Sequence, residues 1–200
     1  VSSGVVYEAI SSDGTLQRPA TCPGGTYTDS YCVSPNSLPV ATGAGATAVF
    51  DGRIYVVGGF NSKANINYVA INADGSLGAW AASVSLTGIG AIGVTYATAY
   101  ARANPSSASS IPGNLFILGG CTDGSVGCNN YTGNVYKCNI STTGAPSGCS
   151  MNNQLQIGTL PGGCGTGIGA AASAVYANYI YLIGGLTSGC TDLTTARYAK

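Results

Sequence analysis

Histidine does not occur anywhere in this chain of 200 residues. No metal can be held by imidazole, and neither a Ser-His-Asp triad nor an imidazole proton shuttle can be built. Charge is nearly as scarce. Seven basic and seven acidic side chains make 7% of the chain, against about 25% in an average soluble domain. A neutral chain with so few, scattered cations has no grip on a phosphate backbone, so a nucleic-acid partner is not expected. Low charge does not mean disorder here, because 45% of the residues are hydrophobic, and disorder needs low hydrophobicity with high net charge. Methionine occurs once, at Met151, and the first residue is Val1. The expectation is a processed or partial chain. No charge falls between Lys137 and Asp192. The most apolar part of that stretch, Gly167 to Gly185, is broken by Asn178 and by Gly184-Gly185 into two short β-type runs. It lacks the ~20 predominantly apolar residues of a membrane helix, so no membrane span is expected.

What the chain does have is glycine (31), tyrosine (13) and eight cysteines. None of Cys22, Cys32, Cys121, Cys128, Cys138, Cys149, Cys164 and Cys190 forms a CxxC pair. Without that spacing or histidine neither a zinc site nor a cofactor is expected. An even count on a chain rich in Ser, Thr, Gly and Tyr points to disulfides and an oxidising compartment.

Internal repetition decides the fold. Ile54-Tyr55-Val56-Val57-Gly58-Gly59, Leu115-Phe116-Ile117-Leu118-Gly119-Gly120 and Ile180-Tyr181-Leu182-Ile183-Gly184-Gly185 are the same element three times. Four apolar residues closed by two glycines fit a strand buried on both faces. These runs should be the most buried strands of the molecule. A strand candidate precedes each: Ala46 to Phe50, joined through Asp51-Gly52, a strong hairpin signal; Val94 to Tyr100; and Ala172 to Tyr176. Between Tyr100 and the second run, the Pro/Ser segment from Ala101 to Gly113 reads as a surface insertion. A third strand and a hairpin follow. Tyr68 to Leu77 matches Tyr7 to Leu16, with Asp74-Gly75 matching Asp13-Gly14. Tyr136 to Gly144 is a third copy, one residue longer when aligned on the tyrosine. A fourth strand is expected around Trp80 to Leu86. Helical periodicity is lacking throughout, so the chain is all-β, a tandem array of four-stranded meanders.

A four-stranded antiparallel unit in tandem is the blade of a β-propeller. The apolar run with Gly-Gly, followed by Tyr68 and Trp80, resembles the kelch-type repeat along the whole chain. The Tyr-to-Trp spacing is longer than in common kelch repeats and only one repeat has the Trp, so the likeness is to divergent, secreted kelch-like proteins. It implies blades at about 44–90 and 91–163 and partial blades at 1–43 and 164–200. Three repeat lengths are too few for a ring of about 4–8 blades. Further blades, in a longer polypeptide or in other copies, are therefore the expected partners, and a longer polypeptide is favoured.

Blade position suggests which cysteines pair. Cys22 with Cys32 and Cys138 with Cys149 bracket the turn between third and fourth strands, and Cys121 with Cys128 brackets the loop after the second. Cys164 and Cys190 remain, in loops expected on one face, and all eight cysteines are expected to be paired.

The resemblance admits enzymes, but their machinery is missing. Galactose-oxidase-like members hold copper partly through histidine. Sialidase-type propellers clamp a carboxylate with clustered arginines, whereas Arg18, Arg53, Arg102 and Arg197 stand at unrelated repeat positions. Paired-carboxylate catalysis would draw on Glu8, Asp13, Asp29, Asp51, Asp74, Asp123 and Asp192. Of these, Asp13, Asp51 and Asp74 are turn residues. Asp123 and Asp192 give one carboxylate per loop, thin for Ca²⁺ with its 6–8 oxygens. No catalytic, metal or cofactor-binding residue is assigned. Tyr27, Tyr31 and Tyr131 read as loop tyrosines suited to recognition. Asn130-Tyr131-Thr132 and Asn139-Ile140-Ser141 are sequons, with Asn130 the better placed. The expected function is a non-enzymatic structural or recognition scaffold, extracellular or on the cell surface, with a protein or glycan ligand. The alternatives are a glycan-binding or carbohydrate-active propeller with its key residues elsewhere, and a subunit of an extracellular filament or surface layer.

Overall fold

Asp51 and Gly52 both take positive φ, +48° and +65°, the geometry a two-residue turn needs to match the right-handed twist of its strands. That turn joins the first two strands of a meander that recurs along the chain. The computed structural model describes residues 3–199 apart from 30, 63, 82–83, 87–94, 105–111, 122–127, 129, 152–166, 178 and 188–195. The first strands are β1 (Val6–Tyr7), β2 (Ala9–Ile10), β3 (Leu16–Gln17), β4 (Thr26–Thr28) and β5 (Tyr31–Val33), forming one sheet ordered β1-β5-β4 and a β2-β3 hairpin. A four-stranded sheet follows in chain order: β6 (Ala46–Phe50), β7 (Arg53–Val57), β8 (Asn65–Ala70) and β9 (Val84–Ser85). The next comprises β10 (Thr98–Ala103), β11 (Gly113–Leu118), β12 (Val135–Ile140) and β13 (Pro146–Met151). The last is β14 (Ala172–Tyr176), β15 (Tyr179–Ile183) and β16 (Ala196–Ala199). All pairing between strands is antiparallel. Among the described residues there is no helix, and so none long and apolar enough to cross a membrane.

Register shows that the sheets are copies. Val57, Leu118 and Ile183, each before a Gly-Gly pair, face Ala46, Thr98 and Ala172 on the preceding strand. The glycine pairs have the same backbone: φ is +66° and +96°, +62° and +97°, +67° and +106°. Two residues ahead of each first strand, three non-glycine residues are also left-handed: Ala44 (+56°), Tyr96 (+55°) and Ala170 (+53°). They form a relay between sheets, since the Tyr96 N–H donates to the Ala44 carbonyl at 2.8 Å and the Ala170 N–H to the Tyr96 carbonyl at 2.7 Å. Cooperation between neighbouring sheets offsets the cost of these conformations, which no side chain of this type adopts for preference.

The sheets pack face to face through two apolar layers. Tyr55, Val57 and Ile66 of the second sheet meet Leu115, Ile117, Tyr136 and Ile140 of the third. Leu118 and Val135 of the third meet Ile180 and Leu182 of the last, with Ile168. Alanines at 46, 48, 99 and 101 let β6 and β10 approach closely. Tyr55 crosses the first layer, and its hydroxyl donates at 3.0 Å to the carbonyl of Gly144, in the hairpin of the next sheet. Burial pushes that phenol up to about 12.

Several expectations need correction. Tyr136 faces Ile117, whereas Tyr68 faces Tyr55; counted from the glycine pairs, Tyr136 occupies the place of Asn67 and Lys137 that of Tyr68. From Asn65 to Gly75 and from Asn134 to Gly144 the count is the same, so the third copy has no extra residue and only its tyrosine is displaced. The first strand of the third sheet begins at Thr98, and Val94 lies outside the described residues. The insertion after it is shorter than read, because Ala101–Ala103 still belong to β10. The fourth strand of the second sheet is only Val84–Ser85. Trp80 lies before it, its indole N–H donating to the Asn36 carbonyl at 3.1 Å. Finally, the run at 180–183 is not uniformly buried: Ile183 is 51% exposed.

Candidate functional site

The segment between β1 and β5 folds on its own turns. At its tip Asp13 Oδ1 accepts from the Thr15 N–H (3.0 Å), the Thr15 hydroxyl (2.8 Å) and the Ser11 hydroxyl. These bonds, Ser11's first, hold the carboxyl down to about 2. Asp74 repeats the arrangement with the Ser76 N–H at 3.0 Å and hydroxyl at 2.7 Å, and its carboxyl is likewise lowered. In the third copy Ser141 accepts from the Ala145 N–H instead. Asp13 and Asp74 thus spend their acceptors on the turns that shape the loops. A depressed carboxyl supports its turn above the ordinary carboxylate range and loses that support as pH falls through the folded value. Carbon-detected titration of Asp13 should give a midpoint near 2, rising toward the ordinary value in Ser11→Ala. An unshifted midpoint in the wild type would contradict the turn geometry.

Tyr27 and Tyr31, expected in loops, lie on β4 and β5, opposite Cys32 and Thr28. The reason is local: Cys22–Cys32 closes a loop of this segment, and the chain within it pairs as a hairpin. Tyr27 is half-buried, its hydroxyl donates to the Pro19 carbonyl at 2.9 Å, and the Arg18 guanidinium stands 3.6 Å from its ring centre. Such a cation–π pair contributes roughly 0.5–1 kcal/mol at an exposed site. Tyr131 is also not a free loop side chain. It bridges to Cys121, and its ring fills the space beside Gly169 at the entrance to the last sheet. Beside it, Asn130 is exposed, while Asn139 sits half-buried on β12 between Asn114 and Ser147.

Cys22–Cys32, Cys121–Cys128 and Cys138–Cys149 are disulfides. Each staples a loop at an end of a sheet, contributing roughly 2–3 kcal/mol in the chain-entropy model. Disulfides of this kind belong to an oxidising, extracellular type of environment. Cys164 and Cys190 lie outside the described residues, as do Asp123 and Asp192. Among the described residues no group of three or more Cys, Asp and Glu could hold a metal ion. Asp51 pairs with Arg53 at 3.5 Å on the surface.

A feature not foreseen from the sequence is a groove of about 350 Å³ between first strands. Thr47 and Val49 of β6, Tyr100 of β10, and Ser173 and Val175 of β14 line it. The Thr98 and Ser173 hydroxyls share a hydrogen bond of 2.6 Å between sheets. The lining is neutral, with hydroxyls, a phenol ring and small apolar groups. The signal was present in the sequence: counting back from the glycine pairs puts Thr47, Ala99 and Ser173 in one register.

No family model matches the chain, and no curated protein matches it. Among solved structures it is similar to one described as "Structure of YjhT", with a TM-score of 0.49 and 15% identity, over 86% of this chain and 44% of that one. The chain thus spans less than half the length of that protein.

Proposed function

We propose that this chain is a segment of a kelch-like β-propeller, secreted or displayed at the cell surface, that acts as a non-enzymatic recognition and structural scaffold. The observation that carries the reading is the relay from Ala44 to Tyr96 to Ala170. The same left-handed residue, first strand and glycine pair recur at each step, with first strands β6, β10 and β14 gathered around one groove. Repetition about a common line of first strands is what a propeller needs, with blades facing each other through apolar layers. Further blades, in a longer polypeptide or another copy, complete the ring.

Stapled loops on rigid sheets present fixed surfaces, which is how scaffolds carry recognition. A neutral groove bearing hydroxyls and a tyrosine ring favours an uncharged, hydroxyl-rich ligand. That supports a second reading, a glycan-binding or carbohydrate-active propeller with its chemistry in other blades. A glycan array probed with the disulfide-intact chain separates the two. Saturable glycan binding, lost when Tyr100 is replaced by alanine, favours the second reading. Turnover of a glycoside by this chain alone would overturn the non-enzymatic one.

A further inference from the structure

The sequons Asn130-Tyr131-Thr132 and Asn139-Ile140-Ser141 play no part in the function proposed above, and the fold treats them differently. The first follows the loop closed by Cys121–Cys128. Its last two residues are anchored to the body of the protein. Tyr131 pairs with Cys121 in an isolated bridge, and Gly167 packs on its carbonyl. The Thr132 N–H donates to the Gly120 carbonyl at 2.8 Å, and the Thr132 carbonyl accepts from the Ile168 N–H at 3.1 Å. Asn130 stands just outside this anchored pair and is exposed. It belongs to neither apolar layer, so a bulky hydrophilic group on it leaves both intact.

Asn139 has the opposite setting. It lies within β12, a strand paired on both sides, opposite Asn114 on β11 and Ser147 on β13. It is half-buried, and its Nδ2 lies 3.5 Å from the position that a Cβ on Gly148 would take. The Ser141 hydroxyl of that sequon is engaged in the hairpin, accepting from the Ala145 N–H at 3.1 Å and sharing a hydrogen bond of 2.9 Å with Thr143. A glycan on Asn139 would have to part β12 from β13, which Cys138–Cys149 clamps together.

We propose that Asn130 is a site of N-glycosylation and that Asn139 is not. The donor is a lipid-diphosphate-linked oligosaccharide of a secretory pathway, and Thr132 supplies the hydroxyl that completes the acceptor motif. Asn130 Nδ2 forms a bond to the anomeric carbon of the sugar. The bond from that carbon to the diphosphate oxygen breaks, the lipid diphosphate leaves with the electron pair, and the amide proton passes to a base of the transferase. The product suits this surface. A formal net charge of zero on a chain only 7% charged leaves little repulsion against association, and a surface glycan is bulky and solubilising. The proposal rests on the secreted or surface-displayed reading above.

The test is peptide mapping of the protein recovered from outside its own cells, after enzymatic release of N-linked glycans in heavy-oxygen water. Release converts a glycosylated asparagine to an aspartate carrying the heavy oxygen. Asn130 should be converted, and Asn139 should remain asparagine. Asn130→Gln should lose the whole glycan mass from the intact protein, with the strand-rich far-ultraviolet spectrum retained. Thr132→Ser, which keeps the hydroxyl that accepts from the Asn134 N–H at 3.1 Å, should retain the glycan, and Thr132→Ala should lose it. An unconverted Asn130 in the extracellular protein, or a glycan on Asn139, would overturn the proposal and leave the secreted reading standing. Protein found only inside the cell, without a glycan, would overturn both.

Discussion

Gly120→Ala is expected to destabilise the chain by about 3 kcal/mol or more, whereas Gly75→Ala should cost only about 1–2 kcal/mol. Both glycines have positive φ, +97° and +82°, so both substitutions carry backbone strain. They differ in surroundings. A Cβ on Gly75 meets nothing within 4 Å; on Gly120 it would lie 2.9 Å from the Thr95 carbonyl oxygen, 2.9 Å from Ala97 Cβ and 3.1 Å from Ala97 Cα. Backbone cannot swing aside as a flexible side chain can, and here it is pinned. Thr95 and Cys121 exchange two hydrogen bonds, of 3.1 and 2.6 Å, across this contact. Gly59 and Gly185 make equivalent close approaches, to Gly43 and Gly169. Urea unfolding of the two variants checks the comparison. Equal losses would mean that the second glycine of the pair is there only for its φ.

Ile117→Asp should abolish cooperative folding. Ile117 is wholly buried on β11, between β10 and β12, and belongs to the layer joining the second and third sheets. Lys137, one residue along on β12 from its partner Tyr136, alternates to the other side of the sheet and does not meet a carboxylate there. Burying an isolated ionised carboxylate costs tens of kcal/mol in a low-dielectric medium, so the group neutralises or the fold gives way. Ile117→Ala removes apolar contact alone and should cost about 2–5 kcal/mol. Expression with the native disulfides, followed by near-ultraviolet circular dichroism, distinguishes the two. A native spectrum for Ile117→Asp would contradict the placement of this residue in the core.

What the sequence disclosed follows from which signals are local. Gly-Gly after an apolar run, Asp-Gly between two runs and cysteines a few residues apart are short-range constraints, and β6, β7, β11, β14 and β15 lie where those signals put them. The tyrosine alignment failed because a tyrosine at the third-strand position is a packing choice. At the place of Asn67 in the second sheet, the third accommodates Tyr136, while its neighbour Lys137 occupies the place of Tyr68. The glycines could not drift in this way, since their φ is fixed by the turn. Tyr27 and Tyr31 were misplaced because β4 and β5 pair across a turn in which Asp29 takes φ +50°, a weak signal without glycine. The exposure of Ile183 was illegible for another reason. A sequence pattern says that a side chain is suited to burial, whereas only the arrangement of sheets says whether a neighbour covers it.

The central claim is that successive four-stranded sheets turn about a shared line of first strands. Electron microscopy of the disulfide-intact material tests it most directly. The account predicts class averages with sheets arranged radially around an axial opening, with β6, β10 and β14 innermost, as a ring or an arc of one. A straight stack of sheets with a translational repeat, elongating as a solenoid or filament with no common axis, would contradict it.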